Sequence, residues 1–271
     1  MSYNFFSPNN HFKLFFGDSI KIMKKIEAKT IDLIFADPPY FLSSGGVSCH
    51  SGKQVSVNKA DWDKTLTVQD KIKFNRKWIR ACKRILKDDG SIWISGTFHN
   101  IYCVGVALEL EGFSIINNIT WVKPNPAPNL ACRCFTNSTE TILWARKQLT
   151  PKKKGKHTFN YQLMKDENGG KQMKDVWLIN LPKNNEKRYG HHVAQKPEAL
   201  LERIILASTN ENDLILDPFL GSGTTGVVAL KLNRKFIGIE KEVNSLEIAK
   251  RRIDDVLNFK EEQKWEILKH G

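Results

Sequence analysis

The amino-acid sequence predicts an α/β fold, built on a doubly wound and mostly parallel sheet that carries a basic insertion. Short runs rich in β-branched and aromatic residues alternate with segments of helical periodicity, as expected of strands joined by crossover helices. The run Ile31–Ala36 is almost continuously apolar, which is typical of a strand buried on both faces. A length of 271 residues suits one large domain, or one domain with a sizeable insertion.

The first half of the chain alternates between predicted strands and helices. A helix is predicted over 70–86 because Phe74, Trp78, Cys82 and Ile85 recur at helical spacing, and Asp88-Asp-Gly90 is typical of its end. Residues 41–66 lack periodicity and contain serine–glycine clusters, so we expect a mobile loop there. The other predicted elements are strands at 12–16, 31–36, 91–95, 115–122 and 139–145, the last two antiparallel, and helices at 20–26 and 100–110.

The second half begins with a segment of different character. Residues 147–194 are basic, contain Gly169-Gly170 and have few apolar runs, so we interpret them as an insertion outside the sheet core. Pro197 is expected to open a helix through residue 208, because proline favours a first helical turn and an apolar stripe follows. The remaining predictions are strands at 213–217 and 235–240, a turn at 221–225, and helices at 226–232 and 243–257.

The charge of the chain favours a polyanionic partner. Lysine and arginine number 42 against 29 acidic residues, which gives a net charge of +13. Residues 147–196 hold 12 basic and 4 acidic side chains, so 12 − 4 = +8 of this charge lies in one stretch of 50 residues. Such an uneven distribution indicates a binding surface, although a solvated lysine-rich face has the same composition.

Other features of the composition exclude several classes of protein. No stretch approaches the length of an apolar membrane span, and the first residues have no pattern of a signal peptide. The 5 cysteines are odd in number and form no C-x-x-C pair, so we expect reduced thiols and no metal site. The sequence therefore predicts a cytoplasmic protein rather than a secreted or membrane-spanning one.

A glycine turn between a predicted strand and helix is the first candidate binding site. Gly221 and Gly223 let backbone amides approach a ligand without an intervening Cβ. The helix that follows offers free N–H groups, which suit a phosphate or a carboxylate. Glu240 ends the next strand, 240 − 221 = 19 residues after the first glycine, where a carboxylate can accept both ribose hydroxyls of a nucleoside-type cofactor. Glycine turns also serve tight strand–helix packing alone.

The second candidate site is Asp37-Pro-Pro-Tyr40, at the end of the buried strand 31–36. The prolines fix the backbone and remove its donors, which leaves the Asp37 carboxylate and the Pro38 carbonyl as rigid acceptors beside an aromatic ring. Two acceptors and a stacking face match a planar exocyclic amine; a capped Pro-Pro turn is the structural alternative. Both sites follow predicted parallel strands, so they share one cleft if those strands are neighbours.

The two motifs together resemble the amino-methyltransferases that use S-adenosyl-L-methionine. The catalytic motif precedes the cofactor motif at 217–225, a circularly permuted order similar to the β class of DNA methyltransferases. Further matches are Gly17-Asp18, Gln195-Lys-Pro197 and the segments 139–146 and 236–240, so the resemblance runs over roughly 12–255. Segments 99–102 and 125–130 resemble the DpnA-type adenine methylases of restriction–modification systems, which modify GATC.

The resemblance implies a role for each motif residue. Asp37 and Pro38 would accept hydrogen bonds from adenine N6, and Tyr40, after Pro39, would stack on the base. Glu240 would bind the ribose diol. Asp18, which spacing alone marks as a turn residue, would contact the cofactor's adenine. Three further implied cofactor-binding residues are Lys196, Asp217 and Phe219. The glycine turn is implied to bind the cofactor as well, through Gly221, Ser222, Gly223, Thr224 and Thr225.

The resemblance also implies DNA as the partner, duplex or single-stranded, with the target base flipped out of a duplex. It divides the chain into a catalytic half (1–146), a basic target-recognition insertion (147–194) and a cofactor-binding half (195–271), and it implies a homodimer. Arg133, Arg146 and Arg188 are candidates for guanine readout or for phosphate contact. The candidate DNA-binding residues are Lys152, Lys153, Lys154, Lys156, Arg133 and Arg188.

Three alternatives remain open at this point. RNA and protein amine methyltransferases can share such a site, but more often with asparagine in place of Asp37. Cytosine-N4 methyltransferases act on another exocyclic amine, usually with serine there. A nucleic-acid-binding module without catalysis would use the glycine turn for packing only. Adenine N6 of DNA is preferred because of Asp37 and the permuted motif order.

Overall fold

A computed structural model of the chain describes residues 4–7, 11–41, 47–50, 53–56, 66–126, 128–130, 132–150, 156–190 and 194–270. Its helices are α1 (Ser19–Met23), α2 (Val68–Ile85), α3 (Ile101–Leu110), α4 (Tyr161–Glu167), α5 (Glu198–Ser208), α6 (Thr224–Lys231) and α7 (Val243–His270). Its strands are β1 (Asn4–Phe6), β2 (Phe12–Phe16), β3 (Ile31–Ala36), β4 (Val47–His50), β5 (Lys53–Ser56), β6 (Leu86–Gly96), β7 (Phe113–Val122), β8 (Thr139–Lys147), β9 (Val176–Leu178), β10 (Leu214–Asp217) and β11 (Lys235–Glu240).

Nine of these strands form one sheet in the order β1-β2-β11-β10-β3-β6-β8-β7-β9. The central strands β2, β11, β10, β3 and β6 are parallel to one another, whereas β8 runs antiparallel to both β6 and β7. Strands β3 and β10 are direct neighbours, with Leu33 opposite Ile215 and Ile34 opposite Leu216. The two strands that precede the candidate motifs therefore end side by side, as the shared cleft requires.

Helices cover both faces of the sheet, which makes the fold doubly wound. The face covered by α1, α2 and α3 buries Ile34 and Leu216, and the face covered by α5, α6 and α7 buries Leu33 and Ile215. Successive side chains of β3 and β10 point to opposite faces, so each central strand contributes to both cores. This explains the almost continuous apolar run at 31–36 and confirms the predicted fold class.

Two sequence predictions about the connections are wrong. Residues 41–66 were expected to form a loop, but β4 and β5 pair as an antiparallel hairpin, and the other residues of 42–65 lie outside the described part. The segment 147–194 was expected outside the sheet core, but β9 pairs with β7 at the sheet edge. Trp177 of β9 is buried against Trp93, with ring centroids 6.1 Å apart. A short apolar run inside a basic segment is enough to form this strand, because a strand at the edge of a sheet pairs with only one neighbouring strand.

None of the helices in the described part of the chain combines the length and the hydropathy needed to cross a lipid bilayer.

Candidate active site

A cavity of about 500 Å³ opens at the carboxyl edge of the parallel strands. Residues at the carboxyl ends of four strands contribute to its wall: Asp18 after β2, Asp37 after β3, Phe219 after β10, and Glu240 as the last residue of β11. The structure therefore brings the two candidate motifs together, although about 180 residues separate them in sequence. Of the predicted catalytic and cofactor-binding residues only Gly223 is not in the wall; those that line it are Asp18, Asp37, Pro38, Pro39, Tyr40, Lys196, Asp217, Phe219, Gly221, Ser222, Thr224, Thr225 and Glu240.

The glycine turn joins β10 to α6 in a backbone conformation that favours glycine. Gly223 is the residue before α6 and has a φ of 78°, in the left-handed region. A Cβ at this position would lie 2.7 Å from the Cβ of Ala249 on α7, so there is no room for a side chain. Gly223 thus lets α7 pack closely against the start of α6, while Gly221 and Ser222 face the cavity.

Arg252 of α7 braces the glycine turn from inside the protein. Its Nη1 donates to the carbonyl oxygen of Ser222 at 2.8 Å and to the Thr224 hydroxyl at 2.9 Å. Glu198 of α5 accepts from Nη2 of the same guanidinium at 3.1 Å. The turn is therefore held by side chains from two helices. Arg252 was not predicted as a site residue, because its position in the sequence of α7 does not distinguish it from the other basic residues of that helix.

Asp217 stabilises the turn through both carboxylate oxygens. Its Oδ1 accepts from the Phe219 backbone N–H at 3.0 Å, and its Oδ2 accepts from the Thr225 hydroxyl at 2.6 Å. The residue is 2% exposed. Burial raises the pKa of Asp217 to about 7, although these hydrogen bonds act in the opposite direction. Asp217 was predicted to bind the cofactor, and in the structure it lines the cavity while its oxygens organise the loop.

The raised pKa of Asp217 predicts a loss of stability as the pH rises. The folded state keeps a proton that the unfolded chain releases near an ordinary pKa of 3.8, so the contribution is complete below that pH and is lost progressively as the pH rises to about 7. Asp217→Asn is expected to remove this loss, which is on the order of a few kcal/mol. Urea unfolding of both proteins at about pH 5 and about pH 8 measures the difference. Equal pH dependence in the two proteins would show that Asp217 titrates normally.

Glu240 connects the end of β11 to the glycine turn. Its Oε2 accepts from the Gly221 N–H at 2.7 Å, and its Oε1 accepts from the backbone N–H groups of Lys241 and Glu242 at 2.8 and 2.9 Å. Burial raises the pKa of Glu240, while these three hydrogen bonds lower it. The carboxylate is therefore held in one orientation at the cavity wall, where it can also accept from the hydroxyls of a ribose.

The opposite part of the wall offers a flat aromatic surface and further acceptors. Phe219 packs edge-on against Trp78, with ring centroids 5.3 Å apart. Asp18 uses Oδ1 to accept from Lys21 N at 2.8 Å, so it both caps α1 and lines the cavity. The buried Gln195 also lines the cavity, and among the described residues its Oε1 has no hydrogen-bond partner. A ligand that donates a hydrogen bond here would satisfy this carbonyl.

Asp37 is held by three donors at the end of β3. Its Oδ1 accepts from the hydroxyls of Tyr40 and Ser95, both at 2.5 Å, and its Oδ2 accepts from Lys196 Nζ at 2.6 Å. Ser95 lies on β6, the neighbour of β3, and was not predicted as a site residue. A carboxylate has about four acceptor positions, so one position on Oδ2 stays available for a ligand.

A buried cluster of charges surrounds this aspartate. Lys196 also donates to the Tyr40 hydroxyl at 2.9 Å and forms an ion pair with Glu140 at 3.4 Å, and Glu140 accepts from Lys123 at 2.6 Å. Burial lowers the pKa of Lys196, but the negative charges of Asp37 and Glu140 outweigh it, so the pKa is raised. Burial raises the pKa of Glu140, and the two lysines reverse that shift.

The same surroundings affect Tyr40. Burial, followed by the charges of Asp37 and Glu140, raises the pKa of Tyr40 well above its ordinary value, so the phenol stays neutral. The sequence analysis assigned Lys196 to the cofactor pocket and did not identify Glu140. The available signal was an acidic residue close to the apolar run 142–145 of β8.

The candidate DNA-binding residues lie in different environments. Arg133 and Lys156 are exposed, whereas Arg188 pairs with Asp255 of α7. Arg146, also considered for guanine readout, donates to Nδ1 of His157 at 2.8 Å. In the described ranges no group of three or more His, Cys, Asp or Glu side chains is arranged to hold a metal ion. Lys152, Lys153 and Lys154 lie outside the described residues.

Comparison with known proteins identifies the family. The family described as DNA methylase matches residues 31–251. The Type II methyltransferase M2.LlaDCHI of Lactococcus lactis subsp. cremoris is 62% identical over 238 residues, which cover 88% of this chain and 87% of the relative. M2.DpnII of Streptococcus pneumoniae is 60% identical over 245 residues, 90% of each chain.

The structural comparison agrees with this assignment. The crystal structure of an M1.HpyAVI–SAM complex is similar with a TM-score of 0.66 and 30% identity, and the match covers 89% of this chain and 98% of that one. The chain therefore belongs to the DNA methylase family, a family of methyltransferases that use S-adenosyl-L-methionine, as its motifs predicted.

Proposed function

We propose that this chain transfers a methyl group from S-adenosyl-L-methionine to N6 of adenine in DNA, within GATC. The observation that carries the proposal is the shared cavity: the Asp37 corner follows β3, the glycine turn follows β10, and the two strands are neighbours. Adenine is favoured because the acceptor at the corner is a carboxylate. GATC rests on the resemblance to the DpnA-type methylases, and protection of host DNA from a restriction enzyme follows from it.

The cavity offers each part of this cofactor a chemically matched partner. The N-terminus of α6 behind Gly221 and Ser222 suits the methionine carboxylate. Glu240 presents acceptors for the ribose hydroxyls. Phe219 offers an aromatic face to the adenine, and Asp18 an acceptor for its amine. The Oε1 of Gln195, which has no hydrogen-bond partner within the described ranges, suits a donor such as the α-ammonium group.

The Asp37 corner acts on the target amine by positioning it. An amine conjugated to a purine ring is a poor nucleophile; acceptors at Asp37 Oδ2 and the Pro38 carbonyl favour a more pyramidal nitrogen with a directed lone pair. When bound, S-adenosyl-L-methionine would supply an electrophilic methyl group and leave as the neutral thioether S-adenosyl-L-homocysteine. The new N–C bond is balanced by loss of one amine proton, for which the Asp37 carboxylate is an acceptor in contact, and no covalent enzyme intermediate is needed. Lys196 balances the charge of Asp37, and Tyr40 offers its ring to the base.

The basic insertion is proposed to hold the DNA. Residues 147–194 would form the target-recognition segment between the catalytic half (1–146) and the cofactor-binding half (195–271). Exposed arginine and lysine side chains such as Arg133 and Lys156 would contact phosphates or guanine. Duplex and single-stranded DNA are both proposed as substrates, and the functional unit as a homodimer, on the family resemblance.

Neutralising the lysine cluster is expected to weaken DNA binding at low salt. In a variant with Lys152, Lys153, Lys154 and Lys156 changed to glutamine, each lost phosphate contact should reduce the slope of log K against log salt by about 0.9 for duplex DNA. Titrations of a labelled duplex at several salt concentrations measure this slope. A variant with glutamine at four exposed lysines of another region, Lys24, Lys25, Lys73 and Lys77, is the control. A slope equal to that of the wild type would mean that the cluster is only solvated surface.

The proposed reaction is tested by tritiated methyl transfer to unmethylated DNA and, in parallel, to RNA, followed by digestion to nucleosides. Label in the 2′-deoxynucleoside of N6-methyladenine supports the proposal. Label in N4-methylcytosine would move the assignment to the other exocyclic amine. Label confined to RNA, or binding of DNA without any transfer, would contradict it. Substrates with and without GATC test the recognition sequence in the same assay.

A further inference from the structure

The loop between β7 and β8 begins and ends beside the buried charged residues that surround Asp37. Lys123, at its start, donates through its backbone N–H to the Ser138 carbonyl at 2.8 Å and through Nζ to Glu140 at 2.6 Å. Glu140 in turn faces Tyr40 and Lys196, each at 3.4 Å. The described residues between these two ends, 124–126, 128–130 and 132–138, belong to the connection of β7 to β8; we call this connection the β7–β8 loop.

A phenylalanine on this loop is almost fully exposed to solvent. Phe135 is 97% exposed, more than any other large apolar side chain in the described part of the chain. Its neighbours do not bury it, but they order the backbone before it: the Asn129 side chain donates to the Cys134 carbonyl at 2.7 Å, and the Cys132 N–H donates to the Asn129 carbonyl at 3.2 Å. An aromatic ring presented on an ordered loop is typical of a contact surface.

The charge of the loop matches nucleic acid. Residues 124–138 contain Arg133 and no acidic residue, in contrast to the acid-containing helices on both faces of the sheet. Arg133, two residues before Phe135, is exposed as well. A cation beside a free aromatic ring is the combination that binds a phosphate and stacks on a base.

The proposed reaction leaves a gap in the base stack of the DNA, at the place of the target adenine, that such a ring can fill. Adenine N6 lies inside the duplex, so the target base has to leave the stack before it reaches Asp37, and unstacking costs free energy. We propose that Phe135 inserts into the duplex beside the target and stacks on the exposed base pairs while the adenine occupies the active site. This inference rests on the proposed function, because a protein that did not flip a base would have no gap for the ring to fill.

The test compares substrates that differ only in the need to flip. Phe135→Ala and the wild type are assayed on a duplex with one GATC site, on the same duplex with the target adenine opposite an abasic site, and on the single strand. We expect Phe135→Ala to lower kcat/KM about tenfold or more on the matched duplex, the order of one lost stacking contact, and less than about twofold on the single strand. Phe135→Trp should retain most of the activity on the matched duplex.

The control is Tyr102→Ala, because Tyr102 is a similarly exposed aromatic residue on α3. It should behave like the wild type on all three substrates. An equal loss on duplex and single strand in Phe135→Ala, or no loss on either, would overturn the proposal. A changed oligomeric state in Phe135→Ala would also overturn it, because the ring would then be a contact between protein subunits.

A second measurement separates this inference from the proposed function. With 2-aminopurine in place of the target adenine, fluorescence rises when the base leaves the stack, although this base has no 6-amino group and cannot be methylated there. Phe135→Ala at saturating concentration should show a smaller rise than the wild type. An unchanged rise would contradict the insertion of Phe135 even if adenine is methylated, and absence of adenine methylation would contradict the proposed function even if the rise depends on Phe135.

Discussion

Asp37→Ala is expected to lower turnover by about a thousandfold while binding of S-adenosyl-L-methionine persists. The carboxylate supplies the acceptor on which orientation of the target amine depends, and loss of one such positioned group typically costs 10²–10⁴ in rate, roughly. Cofactor binding should survive because the glycine turn and Glu240 do not use Asp37 for their hydrogen bonds. Single-turnover methyl transfer and calorimetric titration with the cofactor measure the two quantities separately.

The matched control is Ser95→Ala. Ser95 donates to Asp37 Oδ1, so its loss leaves the carboxylate in place with Tyr40 and Lys196 still bound. A decrease of about tenfold or less is expected there, the order of one lost hydrogen bond to a charged group. Because Asp37→Ala also leaves Lys196 with Glu140 as its remaining acid, unfolding of each variant should be followed. Wild-type turnover in a folded Asp37→Ala protein would refute the assignment of the corner.

Gly223→Ala is expected to destabilise the fold by about 2–5 kcal/mol and to weaken cofactor binding at least about tenfold. The left-handed backbone costs an alanine about 1–2 kcal/mol, and overpacking adds about 1–3 kcal/mol. The backbone cost applies because φ at Gly223 is 78°. The packing cost applies because the new Cβ would lie 2.7 Å from the Cβ of Ala249, so α7 or the start of α6 has to move. Urea unfolding and cofactor titration measure the two effects.

Gly169→Ala separates the cost of the left-handed backbone from the cost of overpacking. Gly169 also has a positive φ, of 64°, but no atom lies within 4 Å of the position that its Cβ would take. Its alanine variant should lose only the backbone contribution, about 1–2 kcal/mol, and keep normal cofactor affinity. If Gly223→Ala cost no more than Gly169→Ala, close packing of α7 against the turn would not be what requires glycine.

Most of the sheet and both motifs could be predicted from the sequence because their signals are local. The apolar runs at 31–36, 214–217 and 235–240 identify buried strands, and Asp37-Pro-Pro-Tyr40 directly follows one of them. Parallel strands end at one edge of the sheet, so a common cleft needed only the neighbour relation of β3 and β10. The strand β9 was missed because its short apolar run lies within a segment of high positive charge.

The cluster of Ser95, Lys196 and Glu140 around Asp37 could not be predicted because its members come from three separate parts of the chain. Ser95 becomes a partner through the pairing of β3 with β6, and Lys196 arrives on the segment that leads into α5. Glu140 faces Lys196 only because β8 runs antiparallel to β6 and begins at the catalytic edge. A pattern of single residues contains no information on such a register, so the motif indicated the acceptor and not the charge cluster that supports it.

The central claim is that the target amine and the methyl donor meet between the loops that follow β3 and β10. The most direct test is a crystal structure of the protein with S-adenosyl-L-homocysteine and a duplex that contains one GATC site. We expect the adenine outside the duplex, with N6 within hydrogen-bonding distance of Asp37 and directed at the cofactor's sulfur. A cofactor bound away from the glycine turn, or an adenine whose N6 is directed away from Asp37, would contradict the account.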